Sequence, residues 1–109
     1  MATFLVAVLS NPAEGREDEF NEWYEHTHLD EVLSSAGFRS AQRFQLAAQA
    51  GFAASHRYLA LYETDGESAQ EVIDRLNATR GQRQQSRSID NRAAALWVFS
   101  PTGERHEVR

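Results

Sequence analysis

The stretch HRYLALYET, residues His56–Thr64, is the clearest strand in this sequence and the starting point for its fold. It is rich in aromatic residues and leucine, and Asp65-Gly66 ends it with a turn signal. On its N-terminal side, Ala47–Ser55 holds small residues and a glycine, which is typical of a hairpin connection. Phe38–Leu46 alternates and lacks breakers, so it predicts the partner strand of this hairpin.

Two more strands and a helix lie outside this hairpin. Thr3–Leu9 is a short apolar run stopped by Ser10-Asn11-Pro12, which predicts a buried strand followed by a turn. Arg92–Ser100 predicts the last strand, and Glu67–Arg80 predicts a helix with one apolar face. The apolar residues of that face are Ala69, Val72, Ile73 and Leu76.

A helical segment is also expected between the first two strands. It opens with the acidic turn Glu17-Asp18-Glu19, which suits the positive end of a helix dipole. Asp30 is positioned to cap a second short piece, Glu31–Ala36, which Gly37 ends. We therefore expect a bend near His28. One stripe of the first piece is aromatic and apolar, with Phe20, Trp23, Tyr24 and Thr27 at helical spacing.

The predicted element order is β-α-β-β-α-β. With right-handed crossovers this order folds into a ferredoxin-like α+β structure, with a four-stranded antiparallel sheet and two helices on one face. The sequence has 109 residues, near the commonest domain size, and shows no internal repeat. It is therefore expected to form a single domain over residues 1–109.

The composition excludes several classes of function. Hydrophobic residues make up 41% of the chain, enough for a core. The net charge of −5 argues against nucleic-acid binding, which needs clustered positive charge. There is no Cys and no Lys, which removes disulfides, thiolate metal sites and Schiff-base chemistry. The apolar run Phe4–Leu9 is too short for a membrane span or a signal peptide, so we expect no membrane partner and a cytoplasmic location.

The strands are apolar on both sets of alternating positions. In the first strand, Phe4, Val6 and Val8 alternate with Leu5, Ala7 and Leu9. A sheet with one face in water should instead alternate apolar with polar residues. Burying about 500 Å² more apolar surface would contribute on the order of 10 kcal/mol before association costs. We therefore expect two subunits to pair sheet against sheet as a homodimer, and we expect this pairing to enclose the pocket.

Most of the chain resembles EthD-like dimeric α+β barrel proteins: it contains their signature stretch, and Tyr58–Glu63 and the strand ending Trp97-Val98-Phe99 also fit. The residues that carry this resemblance are Phe20-Asn21-Glu22-Trp23-Tyr24, His28-Leu29, Glu31-Val32-Leu33, Gly37-Phe38 and Ala41-Gln42-Arg43-Phe44. Proteins with this fold include muconolactone isomerases, polyketide cyclases and cofactor-free monooxygenases. The resemblance implies a dimer and an internal cavity, but not one reaction. In the family a Pro often follows His-Leu, where this chain has Asp30.

His28 and Tyr24 are the candidate catalytic residues. They lie four residues apart and so share a helix face. Imidazole titrates near neutral pH and can move a proton, while a phenol can orient a substrate oxygen. In the family the matching histidine faces the cavity. The alternative is that His28 caps a helix end or hydrogen-bonds a carbonyl group.

Four further residues are candidate substrate contacts. Trp23 lies on the apolar stripe and either packs in the core or stacks on a ligand. Arg43 lies in a strand among apolar residues, where it binds a substrate carboxylate or enolate, or forms a salt bridge at the dimer rim. Tyr62 and Trp97 are strand aromatics that either form a cavity wall or pack in the core.

No metal and no cofactor is expected. His26 lies about 200° around a helix from His28, so the two cannot bind one metal, and a pair of His28 with Glu31 lacks a third ligand. No glycine-rich phosphate motif is present. An arginine-rich run is expected to be a solvated or interface loop rather than a phosphate site; it contains Arg80, Arg83, Arg87 and Arg92.

The leading functional hypothesis is an enzyme without a cofactor that acts on a small hydrophobic or aromatic metabolite. His28 would transfer a proton in an isomerisation, cyclisation or lyase reaction, Tyr24 would orient an oxygen, and Arg43 would stabilise an anion. A non-catalytic binding or accessory protein with the same cavity is the first alternative. A cofactor-free monooxygenase is the second.

Overall fold

A computed structural model describes residues 1–108, which form four strands, three α-helices, one π-helical segment and one 3₁₀ turn. The strands are β1 (Ala2–Ser10), β2 (Ser40–Gln45), β3 (Tyr58–Gly66) and β4 (Ala95–Phe99). The helices are α1 (Glu17–Trp23), α2 (Leu29–Ala36) and α3 (Ala69–Ala78). The π-helical segment Tyr24–His28 joins α1 to α2, and the 3₁₀ turn Arg80–Gln82 follows α3.

The four strands form one antiparallel sheet in the order β2-β3-β1-β4. Val6 of β1 lies opposite Tyr62 of β3 on one side and opposite Val98 of β4 on the other. Residues directly opposite each other share a face, so these three side chains point toward the helices. The predicted ferredoxin-like α+β fold is confirmed.

The helical backbone runs without a break from α1 to α2, so the predicted capped break before Glu31 is wrong. Tyr24, His28 and Leu29 all have right-handed helical dihedral angles. Asp30 lies inside α2 and caps nothing. The helix widens into π geometry over Tyr24–His28, where a bend was expected. Gly37 ends α2 as expected, in the left-handed conformation with φ of 70°.

The helices cover one face of the sheet and build the core there. Phe20 of α1, Val72 of α3 and Val6 of β1 are fully buried. Ser68 caps α3, because its side chain accepts a hydrogen bond from the Glu71 N–H at 3.0 Å. The helix therefore begins two residues later than the predicted start at Glu67.

The other face of the sheet is largely apolar, with Glu63 and Gln42 on its β3 and β2 side, and it is uncovered in the single chain. Leu5 lies opposite Phe99, and Ala7 lies opposite Trp97 and Leu61. Leu5 is 40% exposed, Phe99 49% and Trp97 52%. We call this surface the bare face; it also includes Leu9, Phe44, Leu59 and Ala95. The predicted apolar character of both faces is confirmed.

Gly66 ends β3 against α3 and has no room for a side chain. A Cβ atom there would lie 2.8 Å from Oε1 of Glu71 and 2.9 Å from Cγ2 of Val72. The Glu71 side chain can move aside, but Val72 is fully buried. We therefore expect Gly66→Ala to lower the free energy of unfolding in urea by about 1–3 kcal/mol. Gly103→Ala is the matched control, because a Cβ there meets no atom within 4 Å; equal stability of the two variants would contradict the prediction.

Within residues 1–108, no helix has the length and apolar character needed to cross a bilayer. The cytoplasmic location expected from the sequence stays a prediction.

Candidate functional site

A pocket of about 200 Å³ lies between the helices and the sheet face that they cover. Its apolar walls are Val6, Val8, Val32, Phe38, Leu76 and Leu96. Val6 and Val8 of β1 lie opposite Val98 and Leu96 of β4, so the wall follows the helix-facing positions of both strands. The pocket is therefore formed within one chain. This corrects the expectation that a second subunit encloses it, since the bare face is on the opposite side of the sheet.

His28 lines this pocket and is held between two aromatic rings. The Trp23 ring stacks on the imidazole, with centroids 4.4 Å apart and planes 25° apart. The Tyr24 ring meets it edge-on, with centroids 4.9 Å apart and planes 89° apart. His28 is also the last residue of the π-helical segment, a rare geometry that is frequently found at functional sites. The aromatic stripe predicted from the sequence therefore positions the histidine.

The imidazole of His28 has no hydrogen-bond partner for its buried Nδ1 within residues 1–108, and its side chain caps no helix. Burial, and to a smaller extent the positive charge of Arg83, together lower the pKa of His28 to about 4. The ring is therefore neutral at pH 7, with one nitrogen that can accept a hydrogen bond or a proton. Neither structural role weighed from the sequence, the helix cap or the carbonyl bond through Nδ1, is present.

Tyr24 and Tyr62 bring two phenol groups to the same pocket. Burial raises the pKa of Tyr24, against the opposite effects of a hydrogen bond with Tyr62 and of the Arg43 charge. Burial also raises the pKa of Tyr62 well above its ordinary value, and its interaction with Tyr24 acts in the same direction. Both hydroxyls are therefore protonated at pH 7. The single O–H of Tyr62 is used in its hydrogen bond to Tyr24, so the Tyr24 hydroxyl is the one left as a donor.

Trp23 supports the pocket from behind His28 and does not line it. Its ring is buried, and its Nε1–H donates a hydrogen bond of 3.1 Å to the backbone oxygen of Gln84. This bond connects the C-terminal end of α1 to the chain that follows α3. Trp23 therefore fixes one side of the imidazole.

Arg43 does not line the pocket. Its guanidinium donates a hydrogen bond of 2.7 Å to Oδ1 of Asn21 and pairs with Glu25 at 3.5 Å. The guanidinium carbon lies 4.9–5.5 Å from three ring centroids, those of Phe20, Tyr24 and Tyr58. These contacts place Arg43 in the packing between α1 and the sheet. Its ion pair is formed with Glu25 of the same chain.

Trp97 does not line the pocket either, because it lies on the bare face. Its neighbour Leu96 points the other way and contributes to the pocket wall. Sequence reasoning could not decide this orientation, since it depends on the pairing register of β4.

Sequence reasoning missed two residues of the pocket, Arg80 and Arg83. Both follow α3 and were expected in a solvated or interface loop. The signal that could have found them is the position of this segment directly after α3, which returns the chain to the pocket side of the sheet. Arg83 is half-buried, and burial lowers its pKa.

Among the described residues, no group of three or more His, Asp or Glu side chains is arranged to hold a metal ion. Glu31, weighed above as a partner of His28 in metal binding, accepts a hydrogen bond of 2.9 Å from the Gln84 N–H. The absence of a metal and of a cofactor in the functional protein stays a prediction.

The fold and the pocket define a ferredoxin-like α+β domain with a pocket between its helices and its sheet, which His28 lines. The chain has the fold of an EthD protein: it is similar to the crystal structure of an ethyl tert-butyl ether D (EthD) family protein from Bacillus halodurans C-125. The TM-score is 0.60 and the identity 16%, over 94% of this chain and 100% of that chain. The predicted EthD-like resemblance is confirmed at the level of the fold. No protein-family model matches the sequence, and no curated protein matches it with significance.

Proposed function

We propose that the pocket binds a small, partly aromatic or conjugated molecule, and that His28 transfers a proton on it without a cofactor. The reaction would be an isomerisation, a cyclisation or a lyase step. The observation that carries this proposal is the state of His28, which lines an apolar pocket with a buried nitrogen that has no protein partner in the described chain. Buried polar atoms are normally hydrogen-bonded, and an exception of this kind calls for a functional explanation.

The chemistry follows from the protonation states of the pocket. The neutral imidazole takes a proton from a carbon next to a carbonyl group, and the negative charge moves to the carbonyl oxygen. The protonated Tyr24 hydroxyl donates a hydrogen bond to that oxygen. The imidazolium then returns the proton to the oxygen or to a second carbon, and His28 is neutral again. No oxidant is needed, and in an isomerisation of this kind no group leaves the substrate.

The test measures proton transfer directly, by proton–deuterium exchange of two enolisable aromatic probes in deuterated buffer. Phenylacetone is neutral and phenylpyruvate is anionic. We expect the protein to accelerate exchange of at least one probe, and His28→Gln to lower that acceleration by about 10²–10⁴-fold. The rate should stay level from about pH 8 to pH 5 and fall towards the His28 pKa of about 4, because protonation removes the base.

His26→Gln is the matched control. His26 lies two residues away, on the exposed surface, where it faces Glu22 at 3.8 Å. The control should keep the full exchange rate. If His28→Gln keeps the full rate as well, or if neither probe exchanges faster than in buffer, the proton-transfer proposal is overturned.

A binding protein without turnover is the second candidate function. It is favoured by the low pKa of His28, because a base with a pKa of about 4 accepts a proton weakly but accepts a hydrogen bond well. In that case a small molecule should co-purify with the protein and be released intact on denaturation. Mass spectrometry of the released molecule, beside an exchange rate equal to buffer, distinguishes this function from proton transfer.

We further propose that the protein is a homodimer that pairs the bare faces of two sheets. The support is the contiguous exposed apolar surface around Leu5, Trp97 and Phe99. Exposed apolar patches of this kind mark interaction sites, and a two-fold pairing lets one patch cover its own copy. Because the pocket lies on the other side of the sheet, the dimer would leave it unobstructed.

A further inference from the structure

The charged side chains that line the pocket are all positive. Two cationic side chains, Arg80 and Arg83, line it beside the neutral His28, and none of its lining residues is Asp or Glu, although the whole chain carries a net charge of −5. Within residues 1–108, neither arginine has a carboxylate oxygen within 4 Å, whereas seven other arginines form ion pairs. Two arginine side chains without a carboxylate partner in the described chain therefore lie at the pocket.

Arg83 is held in place by neutral acceptors. Its Nη1 donates to Oγ of Ser35 at 2.9 Å and to Oγ1 of Thr79 at 2.8 Å, and its Nη2 donates to the backbone oxygen of Leu76 at 2.8 Å. A guanidinium has five N–H groups, so these bonds leave the Nε–H and one Nη2–H without a partner in the described chain. The side chain is thus positioned while its charge is not neutralised.

We propose that Arg83, with Arg80, forms the anion-recognition part of the His28 pocket, and that the ligand is a small aromatic or conjugated carboxylate. This inference rests on the proposed small-molecule pocket and names the class of molecule that it takes. Arginine recognises carboxylates through paired, charge-assisted hydrogen bonds. The apolar walls would hold the ring or the conjugated chain.

The volume of the pocket fits a ligand of this size. An engineered apolar cavity of about 150 Å³ binds benzene, so a pocket of about 200 Å³ has room for one ring with a small substituent. Benzoate meets this description, and benzamide is its neutral counterpart of nearly the same shape.

A bound carboxylate would also act on His28. The titratable and charged groups around the imidazole are Tyr24 on its own segment, Tyr62 on β3, and Arg80 and Arg83 after α3. Glu31 interacts with Arg83 but uses its carboxylate on the Gln84 N–H. An anion at Arg83 would oppose the charge that lowers the pKa of His28, and would so return base strength to the imidazole.

The test compares the binding of benzoate and benzamide to the full chain at pH 7, by the chemical-shift changes of backbone amides. We expect benzoate to bind about tenfold more tightly than benzamide, because hydrogen bonds between two charged groups are stronger than those to a neutral acceptor. Arg83→Gln should remove this preference, and Arg80→Gln should reduce it. Arg83 also donates hydrogen bonds to Leu76 and Thr79, so Arg83→Gln can unfold the protein. Arg80 is exposed, so Arg80→Gln should fold normally and tests the preference for benzoate by itself.

Arg87→Gln is the matched control, because Arg87 is exposed on the same segment and lies outside the pocket. It should keep the preference for benzoate. Equal binding of benzoate and benzamide would overturn the inference, and so would an equal loss in Arg80→Gln and Arg87→Gln. Benzoate should also raise the midpoint of the His28 titration, which a merely structural role of Arg83 would not produce.

The two proposals fail separately in these measurements. Loss of the benzoate preference with His28-dependent exchange of phenylacetone intact overturns anion recognition alone. Tight, arginine-dependent benzoate binding without any exchange overturns proton transfer alone.

Discussion

Trp97→Glu is expected to convert the protein from a dimer to a monomer. Trp97 lies on the bare face, 52% exposed in the single chain, with Phe99 beside it at a ring-centroid distance of 6.4 Å. In a two-fold interface each substitution occurs twice, so two carboxylates would enter one apolar contact without a partner. Light scattering should give about twice the chain mass of 12.3 kDa for the natural protein and that mass for the variant.

The control for this prediction adds the same charge on the other side of the molecule. Ser34 is exposed on α2, so Ser34→Glu should remain a dimer. A natural protein that is monomeric at about 10 µM contradicts the proposed dimer, because stable interfaces of ordinary size bind well below this concentration. A Trp97→Glu variant that stays dimeric places the interface elsewhere.

Phe20→Ala is expected to cause the largest loss of stability. The Phe20 ring is fully buried, and it packs against Tyr58 and Tyr24 at centroid distances of 5.2 and 5.5 Å. Removing it leaves a cavity where α1 meets the sheet and takes away one support of Tyr24. Core substitutions of this type lower the free energy of unfolding by about 3–5 kcal/mol, which is a large part of the stability of a small domain.

The control uses the same change at an exposed position. Phe52 lies in the connection between β2 and β3, and its side chain is fully exposed. Phe52→Ala should leave the midpoint of urea unfolding unchanged within about 0.5 kcal/mol. A Phe20→Ala variant as stable as Phe52→Ala would show that the packing of α1 on the sheet is not the main source of stability.

Much of the fold could be predicted because local patterns and topology agree. The strand in His56–Thr64, the apolar run Thr3–Leu9 and the stripe on α3 each identify one element, and their order allows few arrangements. The apolar character of both sheet faces could also be predicted, since it needs only the alternation of residues. The ends of the elements were less certain: Ser68 rather than Glu67 decides where α3 starts, through a side-chain cap.

In the helical segment between β1 and β2, the residue pattern predicts which side chains are buried but not the geometry of the backbone. The spacing of Phe20, Trp23 and Tyr24 predicts an apolar stripe, and that stripe is buried. The amino-acid sequence of Tyr24–His28 does not indicate π geometry, which depends on packing against the rest of the fold. Asp30 is a common capping residue, but here the helix has already begun before it.

The pocket could be predicted only in part. Tyr24, His28 and Tyr62 line it; helix spacing places the first two on one face, whereas the sequence left Tyr62 open between a cavity wall and the core. Arg43 and Trp97 lie elsewhere, since a strand residue changes face with a one-residue change of register. Arg83 was missed because its segment has no periodic pattern, and its position depends on bonds to Ser35 and Thr79.

The alternation along β4 separates two kinds of evolutionary change. Leu96 borders the pocket, while the adjacent Trp97 lies on the bare face. A mutation at one of these positions reshapes the space for a ligand, and a mutation at the other alters the outer surface of the sheet. Descendants of one ancestral chain can therefore diverge in what they bind while the outer surface of the sheet stays the same.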